Sequence, residues 1–378
     1  MTTAIPKLPR DFGFGEDHEV LRDSAQRFLA ERCPLDEVRR LADDPLGYDP
    51  GLWKEIAGLG WTGLMVAEEH GGAGLGALHL ALLLEEMGRV LLPSPFLAGA
   101  LAGAALSAAG DARWLPGLAS GDLLATLAFA EPEGSWEPGD VAATAEPGKN
   151  GFVLRGAKAY VPAAASANLV VTPFREPDGA MALFAVELPA AGVVVEPETG
   201  VDPTRRSGRV LFDDARVGAE ARLPGDGAAA LAAAFRLGWT ALAAEAVGAA
   251  ESTLILTRDY AVDRAQFGRQ IGSFQAVKHP LVNVMIAVES ARTLTYGAAA
   301  AINHAEESSE IPARMAKAAA SDAFHFAANR AVQLHGGYGF TIDCDVHHFF
   351  KRALWVRATL GDAIHHRRHL ADALIDPS

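Results

Sequence analysis

Between Tyr260 and Val277 the chain reads YAVDRAQFGRQIGSFQAV. Within a dozen residues this stretch gathers Arg264, Gln266, Phe267, Gly268, Gly272, Phe274 and Gln275. These are a cation, two amides, two aromatic rings and two glycines. Such a set could hold a pyrophosphate and a flat ring system. Arginine would serve as a bidentate clamp, phenylalanine as a wall, and glycine where the backbone must come close. An ordinary corner between two helices, with a solvated arginine, would read the same way.

The element that positions this set is visible upstream. Trp239, Leu242, Ala246, Ala249, Thr253, Leu256 and Tyr260 alternate at spacings of three and four, one face of a long helix. A second block, Gln333-Leu334-His335-Gly336-Gly337-Tyr338-Gly339-Phe340, lies downstream. The first stretch resembles the R-x-Q-F-G…F-Q motif of acyl-CoA dehydrogenases. The second is similar to that family's Q-x-x-G-G-x-G segment. The resemblance extends over nearly the whole chain and implies FAD as cofactor. It assigns Arg264, Gln266, Phe267, Gly268, Phe274 and Gln275 to the FAD of a neighbouring subunit, and Gln333, Gly336 and Gly337 to the same FAD.

The family reaction removes the α-proton of an acyl-CoA thioester with a carboxylate while the β-hydrogen leaves as hydride to flavin N5. It needs a base, a flavin and donors to the thioester carbonyl. The commoner position of the base lies 21 residues beyond Gly339 and is Leu360, followed by Gly361. The alternative position, on the long helix, is Gly238. Asp362 and Glu245 are the nearby carboxylates. Glu245 lies two helical turns, about 10 Å, from the alternative position. Each also has a structural reading, Asp362 as the N-cap of the final helix and Glu245 as a salt-bridge partner.

Relatives carry T-E-P-x-x-G-S-D where this chain has Ala130-Glu131-Pro132-Glu133-Gly134-Ser135-Trp136, with Phe129 before it. Ala130 stands at the Thr and Trp136 at the Asp. Relatives also carry K-x-W-[IV]-[TS]-N, whose hydroxyl hydrogen-bonds the isoalloxazine. Here Lys158-Ala159-Tyr160-Val161-Pro162-Ala163 puts Pro162 at the hydroxyl position, without hydroxyl or N–H. The motifs that reach a neighbour's FAD are therefore kept, while the chain's own flavin-ring pocket is altered. This asymmetry resembles the base-lacking subunit of the heterotetrameric acyl-CoA dehydrogenases of bacterial steroid side-chain degradation. The C-terminal run from His347-His348-Phe349-Phe350 through Leu360-Gly361-Asp362 to His366-Arg367 resembles those subunits too. The implied partners are an acyl-CoA substrate with a bulky acyl group, a second dehydrogenase subunit in a dimer or tetramer, and an electron-transfer flavoprotein or similar acceptor. Three alternatives stay open: a self-sufficient homo-oligomer with a displaced base, a flavin monooxygenase or oxidase on the same fold, and a non-catalytic scaffold.

Composition agrees. The 378 residues exceed one ordinary core, half are hydrophobic, and the net charge of −14 argues against nucleic acid and anionic membranes. Cys33 and Cys344 form no disulfide or metal pattern, and MTTAIPKLPRDFGFG has no apolar signal core, so a cytoplasmic protein is expected. The uncharged run Val90–Gly110 is broken by Pro93 and Pro95. Its remaining helix would span roughly 23 Å, too short for a bilayer. His347, His348, His365, His366 and His369 lack a metal-binding spacing, and no metal is expected. Arg205, Arg206 and Arg209 could meet substrate phosphates or line a solvated loop.

In chain order, Glu16–Arg32 reads as an amphipathic helix with Val20, Leu21, Phe28 and Leu29 as its apolar contacts, and Pro50–Leu59 as a second helix. Gly58-Leu59-Gly60-Trp61-Thr62-Gly63 spells G-x-G-x-x-G, but a helical pattern precedes it and no βαβ unit surrounds it. Leu78–Val90 and Leu101–Leu118 read as buried helices. Short Val-, Leu- and Phe-rich runs separated by Gly, Pro and Asp fill residues 121–225. Ala228–Tyr260, Gln275–His304, Pro312–His335, with Pro312 as its first residue, and Asp345–Leu374 read as the last four helices. The fold expected is mostly α with a central β domain: a helical domain over 1–120, a β-barrel-like domain over 121–225 and a four-helix bundle over 226–378. The resemblance supplies that arrangement.

Overall fold

The computed structural model describes residues 12–304 and 309–375. The chain runs α1 (Glu16–Arg32), α2 (Leu35–Asp43), α3 (Pro50–Gly58), α4 (Ala77–Arg89), α5 (Phe96–Ala108) and α6 (Leu115–Ala119). Strands β1 (Ala125–Leu127), β2 (Thr144–Gly148), β3 (Gly151–Pro162), β4 (Leu169–Arg175), β5 (Met181–Glu187), β6 (Val193–Glu198) and β7 (Ser207–Gly218) follow. Then come α7 (Gly227–Asp263), the hairpin β8 (Ala265–Gln266) and β9 (Arg269–Gln270), α8 (Gln275–His304), α9 (Glu310–His335), α10 (Val346–Ala358) and α11 (Ala363–Leu374). Two compact units emerge, residues 1–40, 77–92 and 238–378, and residues 41–76 and 93–237.

In the first unit α4 is the pivot. Every residue from Ala77 to Gly88 is buried. It packs on α1 and α8, while α9 carries α8, α10 and α11. Glycines set how closely α4 meets α7. A Cβ on Gly88 would lie 2.1 Å from the Glu245 carbonyl oxygen, and one on Gly248 would lie 1.8 Å from that of Glu85. The two backbones touch, and nothing flexible stands between them to give way. Gly248→Ala should cost about 2–3 kcal/mol through overpacking. Gly99→Ala, mid-helix in α5 with open space around its Cβ, should stabilise by about 0.5–1 kcal/mol. Paired thermal melts check both signs.

Charges buried beside this crossing are neutralised locally. Glu85, Glu86 and Glu251 face Arg89 and Arg292 from α4, α7 and α8. Tyr296 donates its hydroxyl to Glu85 and accepts from Arg22, 3.0 Å away. Such a network costs desolvation and fixes register, since these partners meet only when α4, α7 and α8 pack in this way.

In the second unit the sheet order is β1-β4-β2-β3-β7-β6, with β5 on β4. The β3–β7 ladder is the longest and breaks register between Leu154 and Gly156 and again between Lys158 and Val161. These irregularities curl the sheet around Phe174, Phe184 and Phe212, whose rings meet edge to face at 5.0–5.6 Å. Lys158, in phase with Leu154, points wholly inward, and the second break then leaves Tyr160 outward at φ 56° and turns Val161 in.

Several expectations are corrected. Val20 is 63% exposed, on the solvent side of α1. The helix expected over Leu101–Leu118 stops at Ala108, turns through Gly110 at φ 74°, and restarts as α6 around Pro116. Pro312 is the third residue of α9, behind Ser309 as N-cap. The expected helix Asp345–Leu374 is two helices, because Leu360 at φ 56° and Gly361 at φ 93° reverse the chain. α2 and the short strands β1 and β2 complete what the sequence pattern missed. By composition α7 is long and apolar enough to cross a membrane, yet 72% of its apolar window is buried inside the protein, as in a core helix.

Candidate FAD-binding site

The site is built where α7 and α9 end. α7 closes with the Arg264 N–H bonded to the Tyr260 carbonyl. The chain then makes a tight hairpin with Ala265 opposite Gln270 and Gln266 opposite Arg269. Its two turn residues, Phe267 at φ 54° and Gly268 at φ 78°, are both left-handed, the twist that a two-residue hairpin needs. Phe267 is pushed 92% into solvent at the tip. Phe274 lies behind it, under the Arg269 guanidinium at 4.0 Å. On the facing element, α9 ends at Gly336, whose N–H returns to the Gln333 carbonyl.

Between these ends lies a cavity of about 520 Å³ lined by Arg264 and Gln266 on one side and His335, Gly336, Gly337 and Tyr338 on the other, with Tyr260 behind. Tyr260 stacks on His335 at 4.2 Å and lies nearly parallel to Tyr338. His335 donates from Nδ1 to the Ala331 carbonyl, 2.8 Å away. Burial lowers its pKa, which keeps the ring neutral with Nε2 as acceptor. Four of the nine residues read from the motifs, Arg264, Gln266, Gly336 and Gly337, thus line one cavity. Phe267, Gly268 and Phe274 shape the hairpin next to it, while Gln275 and Gln333 are exposed at the adjoining helix ends. The stacking of Tyr260, His335 and Tyr338 was not foreseen. Its only trace in the sequence is an aromatic residue near each helix end.

These residues fit a pyrophosphate-bearing cofactor. Among the described residues the Arg264 side chain has no hydrogen-bond or ion-pair partner. A Cβ on Gly336 or Gly337 would meet nothing within 4 Å, so both glycines face open room. An exposed guanidinium opposite bare backbone is the arrangement that holds a doubly charged linker.

The strand ends in the second unit do not offer a flavin ring what the motif in relatives would. The Pro162 carbonyl accepts from Thr126 Oγ1 at 2.7 Å, and the Ala163 N–H donates to the Arg206 carbonyl at 2.9 Å. The Tyr160 N–H is engaged by Glu198. Trp136 lies parallel to Phe129 at 6.1 Å, a broad apolar side chain in place of a carboxylate. Glu131 accepts from Lys158 Nζ and from the Ala142 and Ala143 N–H groups. Burial acts to raise its pKa, but these donors outweigh it and the net shift is downward. Arg205 and Arg206 bond the Ser94, Ala42 and Asp44 carbonyls, and Arg209 faces Glu198. Arg205 and Arg206 clamp loops rather than lie along a solvated one.

The position of the base is held firmly although it carries leucine. The Leu360 carbonyl accepts from Trp239 Nε1 at 3.0 Å, and Lys317 Nζ, wholly buried, donates to Ser321 Oγ and to the Val356 and Gly361 carbonyls. Asp362 caps α11 by accepting the His365 N–H at 2.8 Å. Glu245 is fully buried against Arg352. Lys317→Met should cost about 2–3 kcal/mol by leaving the Val356 and Gly361 carbonyls without their donor. Burial pushes the Lys317 pKa down to about 7, while the unfolded chain keeps about 10.4. Between these values the unfolded state binds more protons. Lys317's contribution to stability therefore rises with pH through about 7 and levels off near about 10. Urea midpoints of wild type and Lys317→Met at about pH 6 and about pH 9 test this, with the rise attributable to Lys317 expected only in wild type.

Two family descriptions match: "Acyl-CoA dehydrogenase, N-terminal domain" over residues 15–122 and "Acyl-CoA dehydrogenase, C-terminal domain" over 225–375. The chain belongs to the acyl-CoA dehydrogenase family. Its cofactor class is FAD, and its reaction class is the oxidation of a CH–CH bond in an acyl-CoA. It is 32% identical to the acyl-CoA dehydrogenase IpdE2 of Mycolicibacterium smegmatis, over 92% of this chain and 95% of that protein. Among solved structures it resembles a variant of the Tcur3481–Tcur3483 steroid acyl-CoA dehydrogenase (TM-score 0.87, 30% identity, 97% and 99% covered). It also resembles the ChsE4–ChsE5 complex of Mycobacterium tuberculosis (TM-score 0.88, 28% identity, 96% and 98% covered).

Proposed function

We propose that this chain is the base-lacking subunit of a hetero-oligomeric acyl-CoA dehydrogenase. In this reading its α7–α9 cavity completes the FAD site of a glutamate-bearing partner. The observation that carries the reading is a contrast within one chain. The cavity of Arg264, Gln266, Gly336 and Gly337 is complete, while Leu360 occupies the place of the base and Pro162 that of the flavin-ring donor. Both carboxylates that could stand in are engaged, Asp362 as a helix cap and Glu245 in a buried ion pair. Two similar structures are named for paired chains and one of them as a steroid enzyme, which supports a bulky, steroid-like acyl group.

Bound FAD would supply the acceptor for the β-hydrogen as hydride. This chain's part is to bind and orient. Arg264 balances the pyrophosphate charge, Gly336 and Gly337 let backbone approach it, and Tyr260, His335 and Tyr338 give the cavity an aromatic wall. The partner's carboxylate removes the α-proton. An electron-transfer flavoprotein or a similar acceptor reoxidises the assembly. The two cysteines, both buried and unpaired, fit the reducing cytoplasm.

The test is anaerobic bleaching of oxidised flavin by a panel of acyl-CoAs, with the chain alone and with a glutamate-bearing partner. Bleaching that needs the partner supports the reading. Bleaching by the chain alone, abolished by Asp362→Asn or Glu245→Gln, would restore the displaced-base alternative.

A further inference from the structure

The α7–α9 cavity does not balance the charge of the ligand it fits. A pyrophosphate linker brings two negative charges. Among the described residues that line the cavity, Arg264 is the only permanent cation and none is a carboxylate. Gln266, Tyr260 and Tyr338 offer dipoles rather than charge. The chain as a whole carries a net charge of −14, so its distant field works against an anion here.

His335 stands on the wall opposite Arg264 and can change its charge near neutral pH. Its ring is fixed on two sides. Nδ1 donates to the Ala331 carbonyl, 2.8 Å away and one turn back along α9. One face lies on Tyr260 from α7, with ring centres 4.2 Å apart and planes 23° apart. Tyr338, from the turn after α9, stands further off at 6.5 Å. With Nδ1 turned back into the helix, the edge left for the cavity is the one that carries Nε2. Burial holds the pKa of the free ring below the ordinary imidazole value, opposed only by the Ala331 bond. An anion in the cavity reverses that balance. An opposite charge within about 4–6 Å moves such a midpoint by about one to three pH units toward the charged form. A neutral ring would instead set the Nε2 lone pair against phosphate oxygens.

We propose that His335 takes up a proton at Nε2 when the pyrophosphate-bearing cofactor binds, and so supplies the second positive charge opposite Arg264. This rests on the reading of the α7–α9 cavity as part of an FAD site. The proton comes from solvent, no covalent bond forms or breaks, and Nε2 changes from a lone-pair acceptor into an N–H donor. Because the bound state holds one proton more than the free state, binding tightens as pH falls. A neutral Nε2 accepting from a ligand hydroxyl would give the opposite trend.

The test is the FAD affinity of this chain assembled with a glutamate-bearing partner, measured by equilibrium dialysis at two pH values. Wild type should hold FAD about tenfold more tightly at about pH 6 than at about pH 8. His335→Asn keeps a donor for the Ala331 carbonyl, and His335→Gln keeps a polar tip in the cavity. Neither takes up a proton, so both should bind equally at the two pH values to within about twofold. Arg264→Ala should bind more weakly at both and keep the wild-type ratio. A ratio absent from wild type, or kept in both histidine variants, overturns the proposal, and weaker binding by Arg264→Ala would then still uphold the cavity as a cofactor site. An affinity that neither Arg264→Ala nor either histidine variant alters overturns the cavity's role together with the proposal.

Discussion

Arg352→Met should destabilise the chain by about 3–5 kcal/mol. Arg352 on α10 and Glu245 on α7 are both wholly excluded from water and joined by a charge-assisted hydrogen bond. Arg352 Nη2 also reaches the Leu91 carbonyl, in a left-handed residue just past α4. One guanidinium thus ties α7, α10 and the exit of α4. Removing it strands a carboxylate where water cannot follow, and the cost is that stranded charge more than the lost attraction. Replacing both partners by apolar residues, Glu245→Met with Arg352→Met, should recover most of the loss. A denaturant double-mutant cycle measures this directly. A double variant no more stable than Arg352→Met would show that the pair is not the unit that matters. The cycle also bears on catalysis. If Glu245 is a structural anion, the double variant should keep the turnover of the assembled enzyme once folded, whereas a base at Glu245 would lose it entirely.

That pair marks the limit of what the sequence discloses. The three-and-four spacing from Trp239 to Tyr260 locates α7, because one helix face repeats regardless of its surroundings. The five longest strands announce themselves through β-branched and aromatic runs between turn residues. The FAD motifs are legible because hairpin, glycines and arginine are contiguous. Contacts between distant segments are not. Glu245 and Arg352 are 107 positions apart, and either could have been a solvated charge.

Local geometry is hidden for a related reason. Lys158 faces inward in phase with Leu154, toward Glu131 and over the Phe174 ring, but an extra β3 residue after it turns Tyr160 out and Val161 in. Strict alternation gives no hint of that shift. The break between α10 and α11 was written in Leu360-Gly361-Asp362, a glycine stop followed by an aspartate cap. The reading of Asp362 as a cap points to that break, while the continuous apolar periodicity across it points to a single helix. Val20 shows the converse, since an apolar residue on an amphipathic helix can face outward at little cost.

The strongest functional expectation concerns Arg264. Arg264→Ala should weaken FAD retention by the assembled dehydrogenase about 10²–10³-fold, equivalent to about 3–4 kcal/mol. The side chain stands at the cavity mouth with no protein partner among the described residues, so its removal leaves no buried group unpaired in the chain itself. Folding should therefore hold within about 0.5 kcal/mol, and the loss should appear only in the flavin. Arg264→Lys keeps one charge but not the two-pronged donor, and should recover only part of the affinity. Flavin absorbance per protomer after gel filtration, with a melt of the chain alone beside it, separates the two effects. Full flavin retention in Arg264→Ala would remove this cavity from the cofactor site, and with it the argument that the chain serves a partner's FAD. Loss of flavin with an unchanged melt would show that the cofactor-binding chemistry of this chain is directed outward from its own core.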